Sequence, residues 1–181
     1  MKLKLTLLFV VLAGAFSYYV FKGGYFSGFG EPSVTVIGQA DVTSEVLFNK
    51  LYSAELRDYE GSKIVIDKSA VNGENDVIVH LWASWCGPCV NEVPELIHYS
   101  KQNPKVEFVI ISLDEYQDDI AKFMKSFPEF NASRFIRIWD GDNTFVKLLN
   151  ADRLPMSVIL RKSNNQPQIV KSVVDWKSLK L

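Results

Sequence analysis

The spacing of apolar and polar positions divides the chain into a wholly apolar opening and a longer stretch that switches between strand and helix periods. Residues 5–21 read LTLLFVVLAGAFSYYVF, in which 14 of 17 positions are apolar and none is charged. Further on, Val46, Leu47, Leu51, Ala54 and Tyr59 recur at roughly helical spacing and predict a helix over residues 43–59. Residues 63–67 predict a short strand and 71–76 (VNGEND) a turn. Two continuous apolar runs, VIVHLW at 77–82 and VEFVIISL at 106–113, have the character of buried parallel strands. Helical periods follow each run, to about Gln102 after the first and over residues 118–127 after the second. A shorter strand at 135–139, a short helix at 144–149 and a hairpin of 156–161 with 168–174 around the turn SNNQP complete the pattern. Strands alternating with helices and closing on a hairpin predict an α/β fold, a mixed β-sheet flanked by helices.

Charge changes how the opening is read. Residues 1–30 carry Lys2, Lys4 and Lys22 and no acid, whereas the remainder holds 17 basic and 21 acidic residues. A basic flank before an apolar run is the signature of a segment that enters a membrane with its N-terminus inside. Seventeen residues sit at the lower limit for crossing a hydrocarbon core of about 30 Å, which permits an anchor. Ala13-Gly14-Ala15 is a small-x-small site at which a signal peptide could be cut. The apolar run continues past it through Tyr18 and Tyr19, which suit a membrane interface, and this favours the anchor. Either way the bulk of the chain is expected outside the cytosol. The predicted organisation is an N-terminal transmembrane or signal helix at 1–22, a Gly-rich linker at 23–40 and one α/β domain at 41–181.

The whole chain has 181 residues and a net charge of −1, with 48% hydrophobic composition. That composition suits a folded core, and the missing basic surplus argues against nucleic acid as a partner. Its two cysteines, Cys86 and Cys89, are too few for a disulfide scaffold. They lie where the first buried strand gives way to a helix. Pro88 fits the first helical turn, where its missing N–H is no loss. Cys86 then stands at the helix N-terminus, beside unpaired N–H groups and the positive end of the dipole, which favours a thiolate. Cys89, one turn on and deeper, becomes the resolving thiol. A zinc half-site lacks ligands, since the only histidines are His80 and His98. A structural disulfide across so short a loop would gain little.

The segment LWASWCGPC (81–89) resembles the active site of the thioredoxin superfamily. Its continuation VNEVPEL (90–96) is similar to the membrane-tethered TlpA/ResA/CcmG-type thiol–disulfide oxidoreductases. Residues 106–114, Trp139-Asp140 and LPMSVIL (154–160) fall where that family has its next strands and its cis-proline loop. The resemblance implies a thioredoxin-like fold, Cys86 as attacking thiolate and Cys89 as resolving cysteine. It also implies that Glu92 tunes the thiols and assists proton transfer at Cys89, and that Pro155 is a cis-proline offering backbone bonds to an extended substrate. Glu92 could instead be a solvated carboxylate favouring the helix dipole. Gly87 and Pro88 shape the site, Trp85 would shield it, Trp82 belongs to the strand core and Pro94 would kink the helix.

Two positions depart from the family pattern. His80 stands where thioredoxins carry a buried Asp, either as a neutral core histidine or as one whose titration shifts the thiols. Met156 follows Pro155 where Thr is common, and is expected to make the substrate surface more apolar. The resemblance implies an exported oxidoreductase of protein disulfides or dithiols that needs no metal or organic cofactor. Gly-Pro between the cysteines points to the reducing end of the scale, near about −270 mV. A reductase there needs a membrane electron donor, and apocytochrome c is an implied target. The alternatives are a disulfide oxidase or isomerase, and a Cu(I)-delivery protein using both thiols.

Overall fold

Strand β3 (Val77–Trp82), whose six residues are all buried, is the axis of the domain. In this computed structural model it lies in the middle of a five-stranded sheet. On one side it pairs in parallel with β4 (Glu107–Ser112), which pairs in parallel with β5 (Phe135–Trp139). On the other side it pairs antiparallel with β6 (Met156–Leu160), which carries the antiparallel edge strand β7 (Gln168–Val170). The structure describes residues 42–181 except 54, 70, 72–73 and 164–165. The expected anchor or signal at 1–22 and the linker at 23–40 lie outside the described residues. No helix among the described residues is long and apolar enough to cross a membrane.

The alternation of side chains along each strand builds two cores. Val77, Val79, Leu81, Val109, Ile111 and Val158 face one way, onto α1 (Ser44–Ser53) and α4 (Thr144–Leu149). Ile78, Trp82, Phe108, Ile110 and Ile159 face the other way. That second face is covered by α2 (Gly87–Gln102), α3 (Gln117–Ser126), the 3-10 turn Pro128–Asn131 and the segment bearing Val174 and Trp176. Helix α2 continues through Pro94 without a break.

The predicted helix over 43–59 is corrected: α1 stops at Ser53, and β1 (Leu56–Arg57) and β2 (Lys63–Ile64) form a small antiparallel hairpin. The Asp58 carboxylate accepts the N–H groups of Glu60 (3.0 Å) and Ser62 (2.8 Å), and Gly61 takes a positive φ of 82°, so the turn is stabilised locally. Tyr59 matched the helical period of Leu47 and Leu51, yet the hairpin sends it to the opposite core from theirs. Tyr59 reaches under the sheet, donating to the Ile110 carbonyl at 3.2 Å and accepting the Trp82 indole N–H at 2.8 Å. The second hairpin also ends early, at Val170, because Val174 turns inward to bond elsewhere.

Candidate active site

The C-terminal ends of β3, β4 and β5 and the N-terminal end of β6 meet along one edge of the sheet, where α/β folds place their ligands. At that edge Ala83–Cys86 form a turn closed by the Cys86 N–H donating to the Ala83 carbonyl at 3.1 Å. The turn delivers Cys86 to the N-cap of α2, with Pro88 in the first helical turn. Cys86 and Cys89 are joined as a disulfide (S–S 2.00 Å, Cα–Cα 5.2 Å). The Cys89 N–H donates to Cys86 Sγ at 3.3 Å, so a free N-terminal donor of the helix already points at this sulfur. Cys86 retains 5% exposure against 0% for Cys89, which places Cys86 on the outer side of the bond. A Cβ on Gly87 would meet nothing within 4 Å. Trp85 is 69% exposed, whereas Trp82 is buried in the strand core.

Beneath α2 lies a polar cluster. Glu92 is buried, not the solvated carboxylate that its place on a helix allowed, because it falls on the same face of α2 as Cys89 and Val93. Its Oε1 stands 3.2 Å from His80 Nε2, both side chains being 1% exposed, although that oxygen has no aligned hydrogen bond. Glu92 Oε2 accepts the Val174 backbone N–H (3.1 Å) and the Trp176 indole N–H (3.3 Å). The other imidazole nitrogen, Nδ1, is 2.9 Å from Ser157 Oγ, and the Trp176 ring meets the imidazole edge-on. His80 is thus gripped on both nitrogens, between the active-site helix and β6. His98 is exposed. Among the described residues no group of three or more His, Cys, Asp or Glu could hold a metal ion.

Across the sheet edge, the Leu154–Pro155 peptide is cis and leads into β6. Met156, expected on the substrate surface, is corrected: it is buried among the α1/α4-side residues, because the two-residue period of β6 turns it there with Val158 and Leu160. The residue that reaches the site from β6 is Ser157. A further acid, Asp114, sits just past β4 and holds the turn that carries Cys86. Both its oxygens accept the Ser84 N–H (3.1 and 3.0 Å), and it also accepts the hydroxyls of Ser84 (2.6 Å) and Ser112 (2.8 Å). Nothing in the spacing singled out Asp114, Ser157 or Trp176, whose partners at the site, Ser84, His80 and Glu92, lie far off in sequence.

The family model that matches the chain spans this strand–turn–helix. The model of a family described as thioredoxin-like matches residues 75–166. The chain belongs to the thioredoxin-like family. Among curated relatives it is similar to the thiol–disulfide oxidoreductase ResA of Bacillus cereus, 24% identical over 166 residues that cover 92% of this chain and 85% of that protein. A thioredoxin of Echinococcus granulosus is 38% identical over 56 residues, covering 31% of this chain and 52% of its own length, so that the chain spans about half of that relative. Of solved structures, a secreted Mycobacterium tuberculosis disulfide oxidoreductase homologous to E. coli DsbE superposes with a TM-score of 0.58 at 20% identity, covering 71% of this chain and 92% of that one. StoA from Bacillus subtilis gives 0.53 at 21% identity, covering 68% and 90%. Fold, relatives and the Cys86–Cys89 pair together place this thioredoxin-like chain among the thiol–disulfide oxidoreductases.

Proposed function

We propose that the protein is an exported thiol–disulfide oxidoreductase, anchored in the inner membrane by residues 1–22, that reduces disulfides of protein partners on the extracytoplasmic side. The observation that carries this reading is Cys86 at the N-cap of α2, its sulfur facing the Cys89 N–H at 3.3 Å and lying outside Cys89. In the reduced protein the same N–H and helix dipole favour the Cys86 thiolate. That thiolate attacks one sulfur of a partner disulfide, forming a mixed disulfide and releasing the partner's other sulfur as a thiolate. Cys89 gives up its proton and attacks Cys86, which frees the partner's second sulfur and leaves Cys86–Cys89 oxidised. Two electrons pass to the partner, and a membrane donor returns two to the protein.

Glu92, on the face of α2 that carries Cys89, is the group we assign to take that proton, with His80 holding its carboxyl group in place. Pro155 and its loop border the disulfide side of the sheet edge and offer backbone bonds to an extended partner segment. The basic flank and uncharged run of residues 1–22 support the anchor; cleavage near Ala15 would instead release the domain. Gly87-Pro88 supports the reducing direction, and the family resemblance makes apocytochrome c thiols a target class. The test is to replace Cys89 by Ser in the full-length chain: partners are expected to accumulate as mixed disulfides on Cys86, in the membrane fraction. The Cys86–Cys89 potential is expected near the thioredoxin value of about −270 mV, and a value near about −120 mV overturns the reductase direction.

A further inference from the structure

The turn that presents Cys86 is held by a buried carboxylate that the exchange chemistry does not use. Asp114 is 1% exposed, and all the hydrogen bonds it accepts come from neutral donors: the Ser84 N–H, the Ser84 hydroxyl and the Ser112 hydroxyl. No ion pair to Asp114 occurs among the described residues. Its backbone is fixed as well, since its N–H donates to Ser112 Oγ (3.1 Å) and its carbonyl accepts the Trp139 indole N–H (2.8 Å). The carboxylate therefore belongs to a frame that joins the ends of β4 and β5 to the Ala83–Cys86 turn. A buried charge without a counter-ion is costly and pulls strongly on whatever dipoles and ionisable groups surround it.

Ser84 is two residues ahead of Cys86, at most about 7 Å between their α-carbons along an extended chain and less within a closed turn. The Asp114 carboxylate, bonded to Ser84 in the same closed turn, is a negative charge in the buried neighbourhood of Cys86 and opposes a second one there. We propose that Asp114 is a positioning residue that sets the acidity of the Cys86 thiol. It clamps the turn through Ser84 and opposes the thiolate through its charge, so that the helix N-terminus and Asp114 act on Cys86 in opposite senses. The other charged and titratable groups here belong to neighbouring elements. The hairpin brings Tyr59 and Glu60 and β5 brings Arg137, which together with Asp114 act on the Tyr59 phenol. Glu115 follows Asp114 in the loop, and α2 with β3 supplies the Glu92–His80 pair. Of these, Tyr59 is the group that the Asp114 charge also acts on, and replacing Asp114 lowers its phenol while leaving every other side chain in place.

Asp114→Asn suits the test, because its amide oxygen can still accept from Ser84 while its amide nitrogen donates to Ser112 Oγ. The inference rests on Cys86 being the attacking thiol, so the measurement reports which cysteine reacts. Reduced full-length protein is alkylated with iodoacetamide across pH 5–10, and the site is read by mass spectrometry. In Asp114→Asn the midpoint for Cys86 is expected to fall by about one pH unit. Ser84→Ala, which loosens the clamp and keeps the charge, is expected to leave the midpoint within about 0.3 units and to slow exchange with a protein disulfide several-fold. An unshifted midpoint in Asp114→Asn, or an equal shift in Ser84→Ala, overturns the inference and leaves the nucleophile assignment standing. First alkylation at Cys89 overturns the nucleophile assignment, and the inference with it. If Asp114→Asn does not fold, the Asp114 carboxyl carbon resonance of the reduced wild-type protein decides. An inflection at the Cys86 midpoint is expected, and a flat response across it overturns the inference.

Discussion

Strands β3, β4 and β6 turn Val77, Val79, Leu81, Val109, Ile111, Met156, Val158 and Leu160 towards α1 and α4, without a single polar side chain among them. Towards α2 the same strands present His80, Ser112 and Ser157 between their apolar residues, and α2 answers with Glu92. One sheet thus divides an interior sealed by apolar packing alone from an interior in which polar groups are distributed along the path from Cys89 to the C-terminal segment. The first needs only volume and hydrophobicity to be right. The second also needs every polar atom to find a partner, since buried unpaired polar groups cost about 1–3 kcal/mol each. The contrast suggests that stability is concentrated on the α1/α4 face and reactivity on the α2 face, and substitutions on each face put that division at risk.

The largest effect is expected at the disulfide itself. Cys86→Ser should lower disulfide-exchange turnover by about a thousandfold or more, with the far-UV circular dichroism unchanged. Residual turnover within tenfold of wild type would assign the chemistry elsewhere. On the opposite face, Leu51→Ala, at a fully buried position of α1, should cost about 2–5 kcal/mol in urea unfolding. The pH profile of Cys86 alkylation should stay as it is, and a shift there would show that the two faces are not independent. For the polar cluster, a double-mutant cycle on His80→Asn and Glu92→Gln should return a coupling of about 1–3 kcal/mol in stability. Additive losses would mean that the 3.2 Å approach of the two groups contributes no energy of its own.

The smallest effect concerns Asp140, a buried acid that breaks the division from the other side. Its carboxylate accepts the Phe145 and Val146 N–H groups at the start of α4, and burial pushes its carboxyl up to about 6. A carboxyl raised in the folded state binds a proton more tightly there than in the unfolded chain. Its contribution to stability is therefore fullest below the unfolded value of about 4 and is lost as pH rises towards 6. Thermal unfolding at pH 4 and pH 7 should show this loss in the wild type, worth no more than about 1–2 kcal/mol after allowance for solvent screening. Asp140→Asn should flatten it, and an unchanged difference between the two pH values would remove Asp140 from the account.

Legibility in the sequence followed the range of the interaction. β3 and β4 were readable because a strand buried on both sides is apolar at nearly every position, and the cysteines were readable because their partner is three residues away. Helix α1 was overextended because Tyr59 kept the helical spacing by coincidence, while the Asp58–Gly61 turn that contains it is a local hydrogen-bond pattern. Met156 was placed on the wrong side because the phase of β6, not the proline before it, decides which face a residue meets. Glu92 was singled out by the resemblance alone, its place on a helix being equally that of a solvated acid: the groups that bury it, Val174 and Trp176, come 82 and 84 positions later. Asp114 was one acid among 21, and its selection depends on the ends of three strands being brought together.

Gly87, where a Cβ would find open space, gives the two faces a practical asymmetry. A Cβ at position 87 displaces no atom, and at the start of a helix Ala there is favoured over Gly. Acidic, basic or aromatic replacements there can grade the oxidising strength of the protein while the interior that sustains it goes undisturbed.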